Sequence, residues 1–292
     1  MKPAPFEYFA PTTIDETLSL LDEHGFDAKI LAGGQSLVPT MNFRLAQPSV
    51  LIDINHVGGL SGIGNSNSDA LQIGAMTRQR QVERSEIIAK QAPLITETMP
   101  HIAHPQIRNR GTIGGSLAHA DPASELPAVM VALNARFKVQ SQNEERWVAA
   151  SDFFVDLFTT DLAPEELLTA IEVPALPEKA GYAFKEIARR HGDFALVGVA
   201  AVATLDDTGK CEQCRIVLMS VGNGPVQAAV AEQVLTGEKP TAKAIAEAAA
   251  IVAEKDIDPP ADMHASSDFR RHLAKVLTEQ ALVTAFERAK KD

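Results

Sequence analysis

The chain has 292 residues, 45 % of them hydrophobic and 22 % charged, and its 38 acidic and 27 basic residues give a net charge of −11. The acidic balance disfavours a nucleic-acid-binding protein, and the hydrophobic content is that of a folded chain rather than a disordered one. No apolar stretch reaches the ~20 residues of a membrane-spanning helix, and no signal-peptide core follows the N-terminus, so the sequence predicts a cytoplasmic protein of two or three packed units.

The first elements in chain order are a helix and two strands. Thr13 and Glu16 have the spacing of a capping box at the start of the helix. A short strand over 29–32 leads into a glycine turn, and the run VLIDI at 50–54 is typical of a second strand. These elements predict a small first lobe over residues 1–57.

Residues 58–176 mix helices and strands and form a second predicted lobe. The segment 58–69 is rich in Gly, Ser and Asn, which indicates a loop with a hairpin. The later elements are a strand over ALQIGAMT, helices over about 92–102 and 124–134, hairpin strands over ARFKVQ and RWVAA, and a strand that ends at Pro174.

The connector PALPEKAG at 174–181 contains two prolines and is the best domain boundary, which gives a third domain over 177–292. Three β-type runs come first, namely GYAFKEIA, FALVGVAAVATL and CRIVLMSVG. Two helices follow, over about 241–254 and from Ser267 to near the end. The last helix has an apolar stripe formed by Phe269, Leu273, Val276, Leu277 and Phe286. Strands followed by helices predict an α+β unit.

Cys211 and Cys214 form a CxxC motif. A zinc or iron–sulfur site usually takes about four ligands, and the chain contains no second cysteine pair. A thioredoxin-like site would place the pair at a helix N-terminus, whereas here a polar turn precedes it and a β-type run follows. The sequence favours two thiols beside a hairpin, with no role assigned.

The chain contains two glycine pairs in similar settings. AGGQS at 32–36 follows a strand, and TIGGS at 112–116 precedes a polar loop and a helix. Glycine allows the backbone to come close to a ligand, and several N–H groups around one concavity can hold a phosphate. Two such turns offer enough donors for the two phosphates of a dinucleotide. The dinucleotide fingerprint G-x-G-x-x-G and the P-loop motif are both absent from the sequence, and each glycine pair alone is a weak signal.

Four longer stretches carry a resemblance to a known family. They are AGGQSLVPTMNFRLAQPSVLIDIN, IRNRGTIGGSLAHADPASELPA, PEELLTAIEVP and FKEIARRHGDFALVGVA. With these stretches, in this order, the chain resembles the FAD-binding subunit of the molybdenum hydroxylases, the relatives of xanthine dehydrogenase and aerobic carbon monoxide dehydrogenase. The resemblance covers nearly the whole length. It implies an α+β fold in which a two-lobed FAD-binding domain of the vanillyl-alcohol oxidase type precedes a carbon monoxide dehydrogenase flavoprotein C-terminal domain.

The resemblance also implies which residues contact FAD. Two loops match those that hold the pyrophosphate and ribityl region, Glu125 matches an acidic residue that contacts the adenosine part, and Ile102 matches a residue beside the flavin ring. Phe194 stands where several relatives carry Tyr over the ring. The implied cofactor-binding residues are Ile30, Leu31, Ala32, Gly33, Gly34, Gln35, Ser36, Leu37, Ile102, Thr112, Ile113, Gly114, Gly115, Ser116, Glu125, Leu162, Lys185 and Phe194.

The residue types by themselves leave simpler interpretations open. Lys185 is also typical of the solvent face of a strand, Glu125 of the first turn of a helix, and Phe194 of a core. No catalytic or metal-binding residue is assigned. The histidines lack a third ligand at metal-binding spacing, and no serine lies in a nucleophile-elbow motif.

The resemblance implies that this chain binds FAD and that its partners hold the other cofactors. A large subunit with a molybdenum–pterin cofactor and a small subunit with two [2Fe–2S] clusters are expected, in a dimer of heterotrimers, with electrons leaving through FAD to an outside acceptor. The alternatives are a free-standing FAD-dependent oxidase or dehydrogenase of the vanillyl-alcohol oxidase fold, and a nucleotide-sensing or assembly protein without FAD. The sequence does not identify the substrate or the electron acceptor.

Overall fold

A computed structural model of the chain describes residues 1–66 and 70–290, so the end of the hairpin predicted over 58–69 lies outside the described residues. The first lobe contains a three-stranded parallel sheet in the order β1-β3-β2. Its elements are β1 (Glu7–Phe9), α1 (Ile14–His24), a 3₁₀ turn (Gly25–Asp27), β2 (Ala28–Leu31), α2 (Leu37–Asn42) and β3 (Val50–Asp53). The predicted cap of α1 is confirmed, because Thr13 Oγ1 accepts a hydrogen bond from the Glu16 amide at 3.2 Å.

The second lobe is built on a five-stranded antiparallel sheet in the order β4-β5-β10-β6-β7. Its strands are β4 (Ile63–Asn65), β5 (Leu71–Gly74), β6 (Arg136–Gln140), β7 (Glu145–Ala149) and β10 (Leu167–Val173), with a separate hairpin of β8 (Phe154–Asp156) and β9 (Thr159–Thr160). Its helices are α3 (Gln79–Glu83), α4 (Glu86–Gln91), α5 (Pro93–Thr98) followed by a 3₁₀ turn (Met99–His101), α6 (Pro105–Arg110), α7 (Ile113–His119), α8 (Glu125–Ala132) and α9 (Ala150–Phe153).

The third domain has a four-stranded antiparallel sheet in the order β11-β12-β13-β14, with helices on one face. Its elements are β11 (Gly181–Ala188), β12 (Ala195–Leu205), β13 (Cys211–Met219), β14 (Val226–Gln227), α10 (Ala229–Leu235), α11 (Ala242–Ile251) with a π-helical extension (Val252–Asp256), and α12 (Ser267–Ala289). The expected order of strands first and helices afterwards is confirmed.

The other face of this sheet packs against the second lobe. Phe184 and Met219 belong to the hydrophobic core of the second lobe, whereas Ala183, the neighbour of Phe184 on β11, belongs to the core under α12. This division follows from the alternation of side chains along a strand. Glu97 on α5 strengthens the contact, because its carboxylate accepts hydrogen bonds from the Phe184 amide at 3.0 Å and from Arg288 on α12 at 2.6 Å. The third domain is therefore held firmly to the second lobe.

Two sequence expectations need correction. The glycine turn predicted at 112–116 is the first turn of α7, because Thr112 caps the helix and Ile113 onward are helical. Phe269, placed in the apolar stripe of the last helix, is 45 % exposed, while Leu273 and Leu277 in the same stripe are buried. In both cases the local sequence pattern is compatible with two structures, and the tertiary contacts determine which one forms.

Candidate functional site

The two glycine segments lie against each other where the first and second lobes meet. A Cβ atom on Gly33 would lie 2.6 Å from the Arg110 carbonyl oxygen and 2.7 Å from Gly111 Cα, and a Cβ on Gly115 would lie 3.4 Å from Ala32 Cβ. The first of these distances is shorter than any Cβ contact a folded protein tolerates, so the approach requires glycine. The two segments therefore form one structure, which we call the glycine cradle (residues 32–37 and 110–116).

The first half of the cradle presents a row of unbonded amides. Gly34 has a φ of +72°, which turns the chain between β2 and α2. The backbone N–H groups of Gly33–Leu37 have no hydrogen-bond partner in residues 1–66 and 70–290, and the first bonded amide is that of Val38, which donates to the Gly34 carbonyl at 3.1 Å. A turn followed by the start of a helix, with successive free N–H groups, is a typical anion-binding concavity.

The second half of the cradle uses its amides differently. The N–H of Ile113 donates to the Thr77 carbonyl at 3.0 Å, that of Gly114 to the Ala75 carbonyl at 2.8 Å, and that of Gly115 to Thr112 Oγ1 at 3.1 Å. The first two bonds attach α7 to the segment that follows β5, and the third caps α7 itself. The glycines here allow a close approach between backbones, and the free donors come from the first half.

A hydrogen-bond chain lies behind the cradle, and sequence reasoning did not single it out. Asn55 Nδ2 donates to the Ala32 carbonyl at 2.9 Å, and Asn55 Oδ1 accepts from Arg78 Nη2 at 2.6 Å. Arg78 Nη1 donates to the Arg110 carbonyl in the other half of the cradle. Asn55 Nδ2 also donates to Asp53 Oδ1 at 2.6 Å, which fixes the orientation of the amide. This hydrogen-bond chain joins both halves of the cradle through the Asn55 amide and the Arg78 guanidinium.

The charged residues of this hydrogen-bond chain, Asp53 and Arg78, are partly shielded from solvent. Although burial raises the pKa of Asp53, hydrogen bonds from Asn55 and from Tyr8 outweigh it and lower that pKa below its ordinary value. Burial, and secondly the nearby Arg110, lower the pKa of Arg78. Arg nevertheless remains protonated in proteins, so a fixed positive charge lies beside the free amides. The only sequence signal was the IDIN stretch, where polar residues follow a buried strand.

A second group of polar residues continues from the cradle towards the third domain. Ser116 Oγ lies 3.0 Å from Ser124 Oγ, and Ser124 directly precedes Glu125, the first residue of α8. Glu125 is only 7 % exposed, and burial raises its pKa to about 7. The structure thus connects the predicted residue Glu125 to the cradle through a pair of serine hydroxyls.

Glu186 on β11 lies at the far end of this group and was not predicted as a site residue. Its side chain is 4 % exposed and its Oε2 atom lies 3.9 Å from His101 Nδ1. Burial, and secondly the charge of Glu125, raise the pKa of Glu186 to about 8. Burial also lowers the pKa of His101. Alternation in FKEIA could have indicated Glu186, because it shares a strand face with Phe184 and not with Lys185.

The other residues implied by the resemblance lie either in the second lobe or on the third domain. Ile102 is buried, and its carbonyl accepts a hydrogen bond from Arg108 at 2.7 Å. Leu162 packs on the core of the second lobe. Lys185 borders a surface recess along α12, and Phe194 is 73 % exposed in the loop before β12. The structure brings together residues 30–37, 112–116 and 125, whereas Lys185 and Phe194 lie on the third domain.

The loop that carries Phe194 nevertheless contacts the second lobe. A Cβ on Gly192 would lie 2.4 Å from the His104 ring, so this loop rests on the segment that follows Ile102. The two cysteines lie elsewhere, on β13 beside the β12–β13 hairpin turn, and both are free thiols. Within residues 1–66 and 70–290, no cluster of three or more His, Cys, Asp and Glu side chains could hold a metal ion.

Comparison with known proteins identifies the family. Residues 4–176 match the family described as the FAD binding domain in molybdopterin dehydrogenase, and residues 182–285 match the CO dehydrogenase flavoprotein C-terminal domain. The chain belongs to the FAD-binding medium subunits of the molybdenum hydroxylases. This membership confirms the resemblance and the fold expected from the sequence, and it makes the chain a subunit of an oxidoreductase.

Several relatives resemble this FAD-binding subunit over almost their whole length. The alpha subunit of the 6-hydroxypseudooxynicotine dehydrogenase complex of Paenarthrobacter nicotinovorans is 43 % identical, over 99 % of this chain and 97 % of the relative. The medium chain of carbon monoxide dehydrogenase from Afipia carboxidovorans is 40 % identical, over 99 % and 100 %. A solved structure of carbon monoxide dehydrogenase from Hydrogenophaga pseudoflava matches with a TM-score of 0.95 and 38 % identity, covering 99 % of each chain.

The residues of the site fit the cofactor for which the family is described. A diphosphate needs several N–H donors and a nearby positive charge, and the cradle offers the amides of Gly33–Leu37 beside Arg78. The uncharged parts of FAD on either side of the diphosphate need hydrogen-bonding groups, and Ser116, Ser124 and the buried carboxyls are such groups. Across residues 1–66 and 70–290, every helix is too short or too polar to cross a lipid bilayer.

Proposed function

We propose that this chain binds FAD at the glycine cradle and delivers electrons from [2Fe–2S] clusters of a small partner subunit to an external acceptor. A large partner subunit with a molybdenum–pterin cofactor would oxidise the substrate. A bound flavin accepts electrons singly and releases them in pairs, which suits a converter between iron–sulfur clusters and a two-electron acceptor. The two cysteines of this chain are too few to ligate two such clusters.

The observation that carries this proposal is the row of unbonded amides at the contact between two lobes. Gly33–Leu37 would donate to the diphosphate, and Arg78 would supply the counter-charge. Thr112–Ser116 would let the cofactor pass close to the backbone of α7. The lobes over 1–57 and 58–176 would then hold FAD between them, and the domain over 177–292 would cover its far end.

The predicted residues outside the cradle would complete the site. Glu125, Ile102 and Leu162 would line the path from the cradle to the third domain. Lys185 borders the recess along α12, and it would contact the cofactor around β11, the edge strand of the third-domain sheet. Phe194, which is 73 % exposed in the third domain, has room to lie over the flavin ring. As Phe, it would cover the ring without offering a hydroxyl.

The assembly that we propose is a dimer of heterotrimers in the cytoplasm, with neither nucleic acid nor membrane as a partner. The relatives support a complex, because one is named as the alpha subunit of a dehydrogenase complex and another as the medium chain of carbon monoxide dehydrogenase. Substrate choice would lie in the large subunit.

A free-standing oxidase, the alternative from the sequence, is the weaker explanation, since these relatives match over nearly their full length and are named as subunits or chains of a complex.

The test compares two glycine variants of the purified full chain. Gly33→Ala would place a Cβ 2.6 Å from the Arg110 carbonyl oxygen, whereas Gly58→Ala would place one in open space. The wild type and Gly58→Ala are expected to show flavin absorption near 450 nm (roughly where flavins absorb), and Gly33→Ala to lose it while keeping its circular dichroism spectrum. A wild-type chain that neither contains nor takes up FAD would refute the proposal, as would acceptor reduction by the complex after its FAD is removed.

A further inference from the structure

Glu186 has a carboxyl oxygen without a hydrogen-bond partner, although its side chain is almost completely buried. Oε2 makes no hydrogen bond to any described residue, and the 3.9 Å to His101 Nδ1 exceeds hydrogen-bond length. A buried polar atom without a partner is unfavourable, and proteins keep such atoms mostly for a structural or functional reason. Glu186 therefore qualifies as a group held ready for a ligand.

The surroundings of Glu186 determine its charge. Glu125 on α8 raises its pKa in addition to burial, to about 8, and the facing His101 is half-buried with a pKa below its ordinary value. Glu186 is therefore mainly protonated and His101 neutral near pH 7, so the two do not form an ion pair. Further charged or titratable groups around these residues are Glu97, Arg108, Asp121, Lys185 and His191.

The position of Glu186 relative to the cradle indicates whether it faces the diphosphate of the cofactor or another part. The line of contacts runs from Ala32 and Gly115 through the serine pair at 3.0 Å to Glu125, whose charge acts on Glu186. Carboxyl groups repel phosphates, so this acidic end does not suit the diphosphate that the free amides suit. This acidic end suits a part of FAD outside the diphosphate, where a protonated carboxyl can donate to a hydroxyl oxygen or a ring nitrogen.

We propose that Glu186 is a further cofactor-binding residue, whose protonated carboxyl donates a hydrogen bond from Oε2 to an oxygen or ring nitrogen of FAD outside its diphosphate. This inference rests on the proposed function. When the carboxyl loses its proton, the donor is lost and an unpaired negative charge is buried at the site. FAD binding should therefore weaken as the pH rises through the ionisation of Glu186.

The experiment measures the Kd of FAD for the full chain, freed of flavin, by fluorescence quenching between pH 6.5 and pH 9. A carboxyl that ionises near pH 8 and is needed in its protonated form should raise the wild-type Kd about tenfold over this range. Glu186→Gln keeps an N–H donor and cannot ionise, so its Kd should rise less than that of the wild type, because only the Glu125 carboxyl, with a pKa of about 7, still ionises in this range. Glu186→Leu removes the donor and should weaken binding about five- to tenfold at pH 6.5.

The matched control is Glu232→Gln. Glu232 is also a partly buried carboxyl with a raised pKa, but it lies on α10, in a recess lined by Leu133 and Arg215, and it accepts a hydrogen bond from the Ile216 amide at 2.7 Å. Its variant should keep the wild-type pH profile. A Glu186→Gln profile that rises like the wild type, or a flat wild-type profile, would overturn this inference alone. A wild-type chain that binds no FAD at any pH would overturn the proposed function itself. Circular dichroism identifies any misfolding of Glu186→Leu, in which case Glu186→Gln decides.

Discussion

Asn55 and Arg78 join the two lobes through a single hydrogen bond of 2.6 Å between the amide oxygen and the guanidinium. Each residue also holds the backbone of one half of the glycine cradle, Asn55 at the Ala32 carbonyl and Arg78 at the Arg110 carbonyl. The free amides of the cradle can bind a diphosphate only if the turn keeps its shape. The pair therefore sets the geometry of the proposed site without offering a reactive group.

Asn55→Ala should weaken FAD binding while the chain stays folded. The substitution removes the donor to the Ala32 carbonyl and leaves Arg78 with one fewer partner, for a loss of about 1–3 kcal/mol, or about 5- to 150-fold in Kd. Asn223→Ala is the matched control, because Asn223 also donates to an aspartate, at 2.7 Å, but on an exposed loop. Equal FAD affinities in the two variants, measured by fluorescence titration, would contradict this role of Asn55.

Arg78→Lys should also weaken FAD binding, although it keeps the positive charge. Lysine cannot reach two acceptors with the planar fork that joins Asn55 and the Arg110 carbonyl, so one half of the cradle loses its anchor. The exposed neighbour Arg84→Lys provides the control. We expect the retained charge to preserve the salt dependence of binding, measured between low and high ionic strength, while the Kd rises about tenfold. An unchanged Kd would show that charge alone matters at this position.

The sequence predicted the elements with strong local patterns and the identity of the family. The cap at Thr13, the run GYAFKEIA, which coincides with β11, and the final helix from Ser267 all have local signals, and the structure contains each of them. The short helices around the cradle lack the periodicity of a longer amphipathic helix. The segment 112–116 illustrates this, because two adjacent glycines are typical of a turn but here start α7 under the cap of Thr112.

The site was predictable only in part for a different reason. Residues 32–36 and 112–116 stand out because glycine pairs are local, but the sequence does not show that they touch. Asn55 and Arg78 have no motif, and their role depends on which carbonyl oxygens the fold brings within reach. Glu186 was missed because the resemblance implied its neighbour Lys185, although alternation places the two side chains on opposite faces of β11. The resemblance supplied a set of residues, and the tertiary contacts determine how they act.

Gly181→Ala should destabilise the third domain without touching the cradle. A Cβ at this position would lie 1.7 Å from the Ala285 carbonyl oxygen, so β11 and α12 would have to separate. A clash with backbone cannot be relieved by a side-chain rotation, and an overpacked core typically costs about 1–3 kcal/mol. Gly64→Ala, where a Cβ meets open space, is the control. Urea unfolding of the flavin-free chain should show a lower midpoint for Gly181→Ala alone, and coincident midpoints would contradict the close approach of β11 and α12.

The stability of the flavin-free chain should fall as the pH rises from about 6.5 to about 8. Burial raises the pKa of Glu125 to about 7 and that of Glu186 to about 8, from an ordinary value of 4.5, so the folded chain retains protons that the unfolded chain has released. The stabilisation is complete below the unfolded pKa and is lost as the pH passes the folded pKa values. The lowered pKa of His101 has the opposite sign, but it acts at and below its ordinary value of 6.5.

Glu186→Gln should therefore flatten the dependence of unfolding free energy on pH in this window, by on the order of 1–2 kcal/mol between pH 6.5 and pH 8. Urea titrations at three or more pH values measure it, with the exposed Glu247→Gln as control. Glu125 and Glu232, whose pKa values are also raised, contribute in the same direction and remain in Glu186→Gln, so a residual slope is expected. If the slope of Glu186→Gln equals that of the wild type, the Glu186 carboxyl is already ionised in the folded chain near neutral pH. Glu186 could then no longer be the protonated donor to FAD.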